Sequence, residues 1–242
     1  MEYRGPKSNP DSEEVDMDPM AMLALATVVF LATHYVASTP IRSLVVRGLG
    51  DNGYLGLYSL VSLVTLVWMI WAYAKTPFER IWIGDEFKAW MLLLMPVSLV
   101  LVVCGLSVRN PTAVRQGNAL KSMSEPHGIL RVTRHPLMWG IAIWAFMHLV
   151  TRGDAASIIL FGGLLLLALS GSVMIDRRMD RNFGVDWMRF AAKTSNVPFA
   201  AIVQGRNQFK FEEIGWSRVV AGLALYAVLM ALHPYVIGTR AY

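Results

Sequence analysis

Long apolar runs separated by short, arginine-bearing polar stretches set the rhythm of the chain. Six windows stand out: Pro19 to Ser38, Tyr54 to Ala74, Phe87 to Leu106, Pro136 to Thr151, Ala155 to Met174 and Trp216 to Ile237. About 20 apolar residues suffice for a helix to cross a bilayer, and five of the windows meet that length. The fourth is short, so it borrows length from its neighbours or sits tilted among other helices. The pattern predicts an all-α fold, a polytopic membrane helix bundle of about six transmembrane helices. After the fifth window, Met179, Phe183, Trp187 and Phe190 recur at helical spacing, with Arg177, Arg178, Arg181 and Arg189 on other faces. That reads as an amphipathic helix along the cytoplasmic leaflet, either an interfacial anchor or a lid over a cavity that opens sideways to lipid.

Composition agrees: 55% of residues are apolar and 16% charged, far from an ordinary soluble domain. Lys and Arg gather in the loops after windows one, three and five, among them Arg42, Arg47, Arg115, Arg131, Arg134 and Arg206. Positive loops stay cytoplasmic, so both termini are expected outside, periplasmic if the membrane is a bacterial inner membrane. The formal charge of +5 belongs to these membrane-flanking loops, where anionic lipid is the partner and nucleic acid is not. Residues 1–18 form an acidic tail, expected to be disordered, with no basic stretch before the apolar run and hence no cleavable signal; Met17 and Met20 are alternative starts. Residues 19–242 make one transmembrane domain. Gly48, Gly50 and Gly53 match the spacing of a dinucleotide loop, but that loop needs a preceding strand; here a turn through Asp51, Asn52 and Gly53 is expected. Cys104, the lone cysteine, rules out an internal disulfide and a thiolate metal cage.

The chemistry-bearing residues inside the apolar windows are histidines. His34 lies in the first and His148 in the fourth, where an ionisable ring is costly and faces the bundle interior. Each is a neutral imidazole bonded between helices or a metal ligand. With no intramembrane carboxylate or suitable cysteine to complete a zinc tetrahedron, bis-imidazole haem, which needs two protein ligands, fits best. His135 and His148 cannot share one iron, since their helical separation is about 20 Å. His135, beside Arg134 and before Pro136, belongs instead to the cytoplasmic interface, as helix cap and snorkelling group or as a head-group contact.

The series RVTRHPLMWG, WAFMH, DRR, FG, KTSNVPFAAI and GR, with a late HP, resembles the NnrU family of bacterial membrane proteins and its plastid and cyanobacterial relatives, the 15-cis-zeta-carotene isomerases. The resemblance runs from about Ala26 to Gly238 and implies haem b held by two membrane-helix histidines, at His34 and His148. It also implies an apolar polyene substrate isomerised from cis to trans, or a haem protein of nitrite and nitric oxide metabolism. The chain departs at two places: Ala145 stands where the isomerases carry a cysteine that exchanges with the second histidine, and the pair Tyr35 and Val36 stands where they carry small residues. RHPLMWG and NVPF also resemble membrane methyltransferases that use S-adenosylmethionine, but Asp176, Arg177 and Arg178 occupy the place of their paired glutamates. For one iron to meet both imidazoles, the first helix should continue past a kink at Pro40 to about Arg47, with the two Nε2 atoms facing one cavity about 4 to 6 Å apart.

Overall fold

In the computed structural model, residues 17–37, 39, 41–123 and 125–238 are described, and among them every regular element is helical. The acidic tail before Met17 and the expected kink residue Pro40 lie outside the described residues. Helix α1 runs Pro19–Val36, started by the Asp18 carboxylate, which accepts from the Ala21 N–H at 2.9 Å with proline in the first turn. Helix α2, Ile41–Lys75, is broken at Gly50, whose φ of 70° and ψ of 171° only glycine adopts without strain. Then follow α3 (Lys88–Ser107), a short α4 (Ile129–Val132), α5 (Pro136–Arg152), α6 (Ala155–Lys193), a short α7 (Ala200–Val203) and α8 (Trp216–Ile237). Five of these, α1, α2, α3, α6 and α8, are long and apolar enough to cross a membrane. The 17-residue α5 lies between α3 and α6 and runs antiparallel to both, so it makes the sixth pass.

Two expectations shift. The first helix does not continue to Arg47: it stops at Val36, and Ile41 opens a new helix that Gly50 interrupts. The glycine-rich stretch is therefore a helix break and not the expected turn; no strand precedes it among the described residues.

Helices pack in the order α8, α3, α5, α6, α1, α2, with α2 also touching α6. Lipid tails give no hydrophobic drive for this association, so small residues set the approach. A Cβ on Gly105 would stand 2.6 Å from the Leu137 nitrogen, one on Gly140 2.8 Å from the Ser98 carbonyl oxygen, and one on Gly222 2.7 Å from the Val100 Cα. Ser98 Oγ donates to the Gly140 carbonyl at 2.7 Å, fixing the register of α3 on α5. On the other side of α5, the rings of Trp144 and Phe161 meet edge to face at 5.3 Å.

At one end of the bundle the α2–α3 connection grips the α5–α6 hairpin: the Ala155 N–H donates to Glu79, and Trp82 Nε1 to the Val150 carbonyl at 2.8 Å. Asp154, 1% exposed, caps α6 through the Ser157 N–H and hydroxyl. The opposite end carries most of the arginines. There α6 extends past the apolar window and bends at Gly184. Met179, Trp187 and Phe190 are buried against Leu101, Leu120, Ile129 and Leu130, so the apolar face of the amphipathic segment is covered by the protein's own loops and not by lipid.

Candidate functional site

His34 and His148 are presented by the same device. In Phe-Leu-Ala-Thr-His and in Trp-Ala-Phe-Met-His, an aromatic residue stands four positions before the histidine. Its carbonyl oxygen accepts from the imidazole Nδ1–H at 2.8 Å in both, Phe30 for His34 and Trp144 for His148. Its ring also packs on the imidazole, with centroids 4.3 Å apart in the first pair and 4.8 Å in the second. A carbonyl can only accept, so in the neutral ring the proton sits on Nδ1 and the Nε2 lone pair is left over. Among the described residues neither Nε2 makes a hydrogen bond. This is the orientation a metal-ligating histidine takes when a backbone carbonyl fixes its tautomer. Only the spacing of Trp144 to His148 was noticeable in the sequence; the matching Phe30 to His34 pair is a finding of the structure.

The two imidazoles lie at different depths. Helix α1 runs parallel to α6: Thr27 packs on Gly163, and the Tyr35 hydroxyl meets Ser170 Oγ at 2.7 Å. His34, next to Tyr35, is thus level with Ser170, whereas His148 stacks on Phe161 at 5.0 Å. At 1.5 Å per residue those levels on α6 are about 13 Å apart. On α2 the markers are Tyr58, 5.6 Å from His34, and Tyr73, 6.0 Å from Phe161; they are about 22 Å apart by the same rise. One iron needs both nitrogens at roughly 2 Å, so in this arrangement His34 and His148 do not suit a single porphyrin. The reason is the start of α1: Thr76 Oγ1 donates to the Pro19 carbonyl, which holds the first turn of α1 level with the end of α2 and places His34 near the basic end. Ala145, where the isomerases carry cysteine, is fully buried among Leu23, Ala26 and Phe161.

A second constellation gathers Arg134, His135 and Asp176. Asp176 on α6 takes the Nε and Nη2 edge of the Arg134 guanidinium, at 2.9 and 2.6 Å, and the His135 Nε2–H at 2.6 Å. Burial pushes the His135 pKa below its ordinary value, against the opposing pull of Asp176, so the neutral ring donates. Asn196 completes the knot: its amide reaches Asp176 at 3.3 Å and Ser172 at 3.0 Å, and Trp139 Nε1 donates to its oxygen at 3.3 Å. The segment before α5 and the one after α6 zip together, with Arg134 N–H on the Ser195 carbonyl, Phe199 N–H on the Val132 carbonyl and Thr133 Oγ1 on the Asn196 carbonyl. His135 is 2% exposed, so it is an internal strut and not a head-group contact. Arg177, by contrast, is exposed, and Arg178 faces Arg42, Tyr54 and Tyr58. Asn196 escaped the sequence reading because its partners Ser172, Asp176 and Trp139 lie 20 or more residues away along the chain. Beneath this knot Glu213 binds Arg131 at 2.7 and 3.1 Å and the Gly128 N–H at 3.0 Å, and these donors hold its carboxyl down to about 2.

The sequence model of a family described as "NnrU protein" matches residues 22–241. The chain is 38% identical over 79 residues to the chloroplastic 15-cis-zeta-carotene isomerase of Arabidopsis thaliana and 37% identical over 81 residues to that of Zea mays. These matches take in 33% and 34% of this chain. The chain spans 22% of the length of each curated relative it matches. No solved structure matches.

Proposed function

The chain belongs to the NnrU family, and on that premise we propose that it is an integral membrane cis–trans isomerase of a long apolar polyene of the carotenoid class. The observation that carries this reading is the third of the chain shared with the two plant isomerases. A polyene dissolves in the bilayer, so a protein that is helical and lipid-facing over most of its surface is suited to meet it there. Isomerisation about a double bond adds and removes no atoms. The protein's tasks are to grip the chain, exclude water and weaken one bond, and the rings of Trp144, His148, Phe161 and Tyr73 offer stacked and edge-on faces for that grip. The proposed setting is a bacterial inner membrane with both termini periplasmic, on the distribution of Lys and Arg.

Haem b is the proposed cofactor, supported by the two Nε2 lone pairs, each freed by a carbonyl on Nδ1. The difference in depth speaks against His34 and His148 sharing one iron in this arrangement, so no step of the isomerisation is routed through such a pair. Ala145 favours a second reading, a haem protein without ligand exchange that serves nitrite and nitric oxide metabolism.

The test is direct. Membranes containing the chain are incubated with a 15-cis polyene under reducing conditions, and the isomers are separated by chromatography. Conversion to the trans form is expected; none, where a plant isomerase in the same membranes converts its substrate, would overturn the reading. Absorption spectra of purified wild type, His34→Ala and His148→Ala decide the cofactor. A low-spin bis-imidazole spectrum lost in both variants would mean that α1 slides along α6 when haem binds. No Soret band from haem-sufficient cells would remove haem.

A further inference from the structure

Four arginines, Arg42, Arg131, Arg134 and Arg178, withdraw partly from water at the basic end of the bundle. Arg131 is bound to Glu213 and Arg134 to Asp176. Arg178 on α6, equally half-buried, has no carboxylate or carbonyl partner among the described residues; its electrostatic neighbours are Arg42, Arg181 and the phenols of Tyr54 and Tyr58. A guanidinium taken from water wants a counter-charge, and next to it stands a second cation in place of one. Arg42 lies over the Tyr54 ring at 5.1 Å, and its ion pair with Asp51 is long, at 3.6 Å, and solvent-exposed. Tyr54 stacks on Tyr58 at 6.0 Å, and Tyr58 meets His34 edge-on at 5.6 Å. Arg178 without a carboxylate, Arg42 with only its long, exposed pair to Asp51, and two phenols therefore converge where α1 ends, α2 breaks at Gly50 and α6 leaves the apolar window.

We propose that Arg42, Arg178, Tyr54 and Tyr58 form an oxyanion site that takes the phosphate of an anionic phospholipid at the basic end of the bundle. Two guanidiniums give the cluster a positive charge and fixed N–H donors that match a phosphate diester and repel the ammonium of a zwitterionic head group, and the phenol hydroxyls can donate to the same phosphate oxygens. The location supports a lipid source, since the site lies beside the end of α1 and where α6 leaves its apolar stretch, the level at which head groups stand. The site is independent of the isomerase reading and of haem.

The experiment uses the full chain, purified in mild detergent and delipidated, then supplied with phosphatidylglycerol, phosphatidylcholine or inorganic phosphate. Bound lipid is counted by native mass spectrometry and the unfolding temperature is followed. Wild type should retain phosphatidylglycerol at least tenfold more than phosphatidylcholine. Arg178→Gln and Arg42→Gln should lose that preference, and Arg177→Gln, which removes the same charge from the exposed neighbouring position, should keep it. Protection by millimolar inorganic phosphate, lost in Arg178→Gln, with no lipid preference would uphold the oxyanion chemistry and assign it to a soluble anion. Equal retention by wild type and Arg178→Gln, or an equal loss in Arg177→Gln, would overturn the site.

Discussion

At the scale of single residues, the firmest contacts are polar ones that the apolar surroundings make expensive to break. Asp176 answers Arg134, His135 and Asn196 together, so Asp176→Asn leaves a guanidinium without its charge partner. The expected cost is about 3–5 kcal/mol, read as a fall in the unfolding midpoint in detergent, whereas Asp180→Asn, at an exposed position one turn on, should change it little. Stability should also depend on pH in one direction. His135 stays neutral in the fold where the unfolded chain protonates near its ordinary 6.5, so stability falls as pH drops through that value. Glu213 stays ionised down to about 2 against an ordinary 4.5, so a second loss runs from about pH 4.5 down to pH 2. Unfolding midpoints across pH 3 to 8 should show both, and Glu213→Gln should remove the lower one.

At the scale of elements, the starts of helices were legible in the sequence and their mutual depth was not. Pro136, Asp154 before Ala155, and the apolar run from Trp216 announce α5, α6 and α8 locally, and the structure begins each there. The helical stretch from Ile41 to Arg47 is expected from the sequence but as part of the first helix, and the break at Gly50 reads as a turn because the two look alike in one dimension. The knot of Arg134, His135 and Asp176 was only half legible: the residues stood out as charges beside apolar windows, but Asn196, which ties them to Ser172, is an ordinary loop residue until the chain folds back. The depth of His34 against His148 depends on how α1 slides along α6, a quantity fixed by contacts such as Thr76 on Pro19 that no periodicity encodes. Close helix approach gives its own test. Gly140→Leu inserts a branched side chain where even a Cβ would be 2.7 Å from Val102 Cγ2. It should part α3 from α5, cost about 1–3 kcal/mol or more, and lower the thermal midpoint further than Gly162→Leu, whose Cβ would meet open space.

At the scale of the whole molecule, six passes would put the start of α1 and the end of α8 on one side of the membrane. In a Cys104→Ala background, single cysteines at Met17 and Gly238 should react with an impermeant maleimide from the same side, and one at Arg115 from the other. Labelling of Met17 and Gly238 from opposite faces would mean that α5 does not cross. The parallel contact of α1 with α6 also bears on how the chain is made. Tyr35 meets Ser170, a partner 135 residues later, so α1 is threaded into lipid long before α6 leaves the ribosome. During that interval its polar groups need partners, and it carries them within itself: Thr27 bonds the Leu23 carbonyl, while Thr33 and His34 bond the Phe30 carbonyl. The first helix is thus equipped to wait alone in the bilayer, with the Tyr35 hydroxyl left to seek its partner when the late helix arrives.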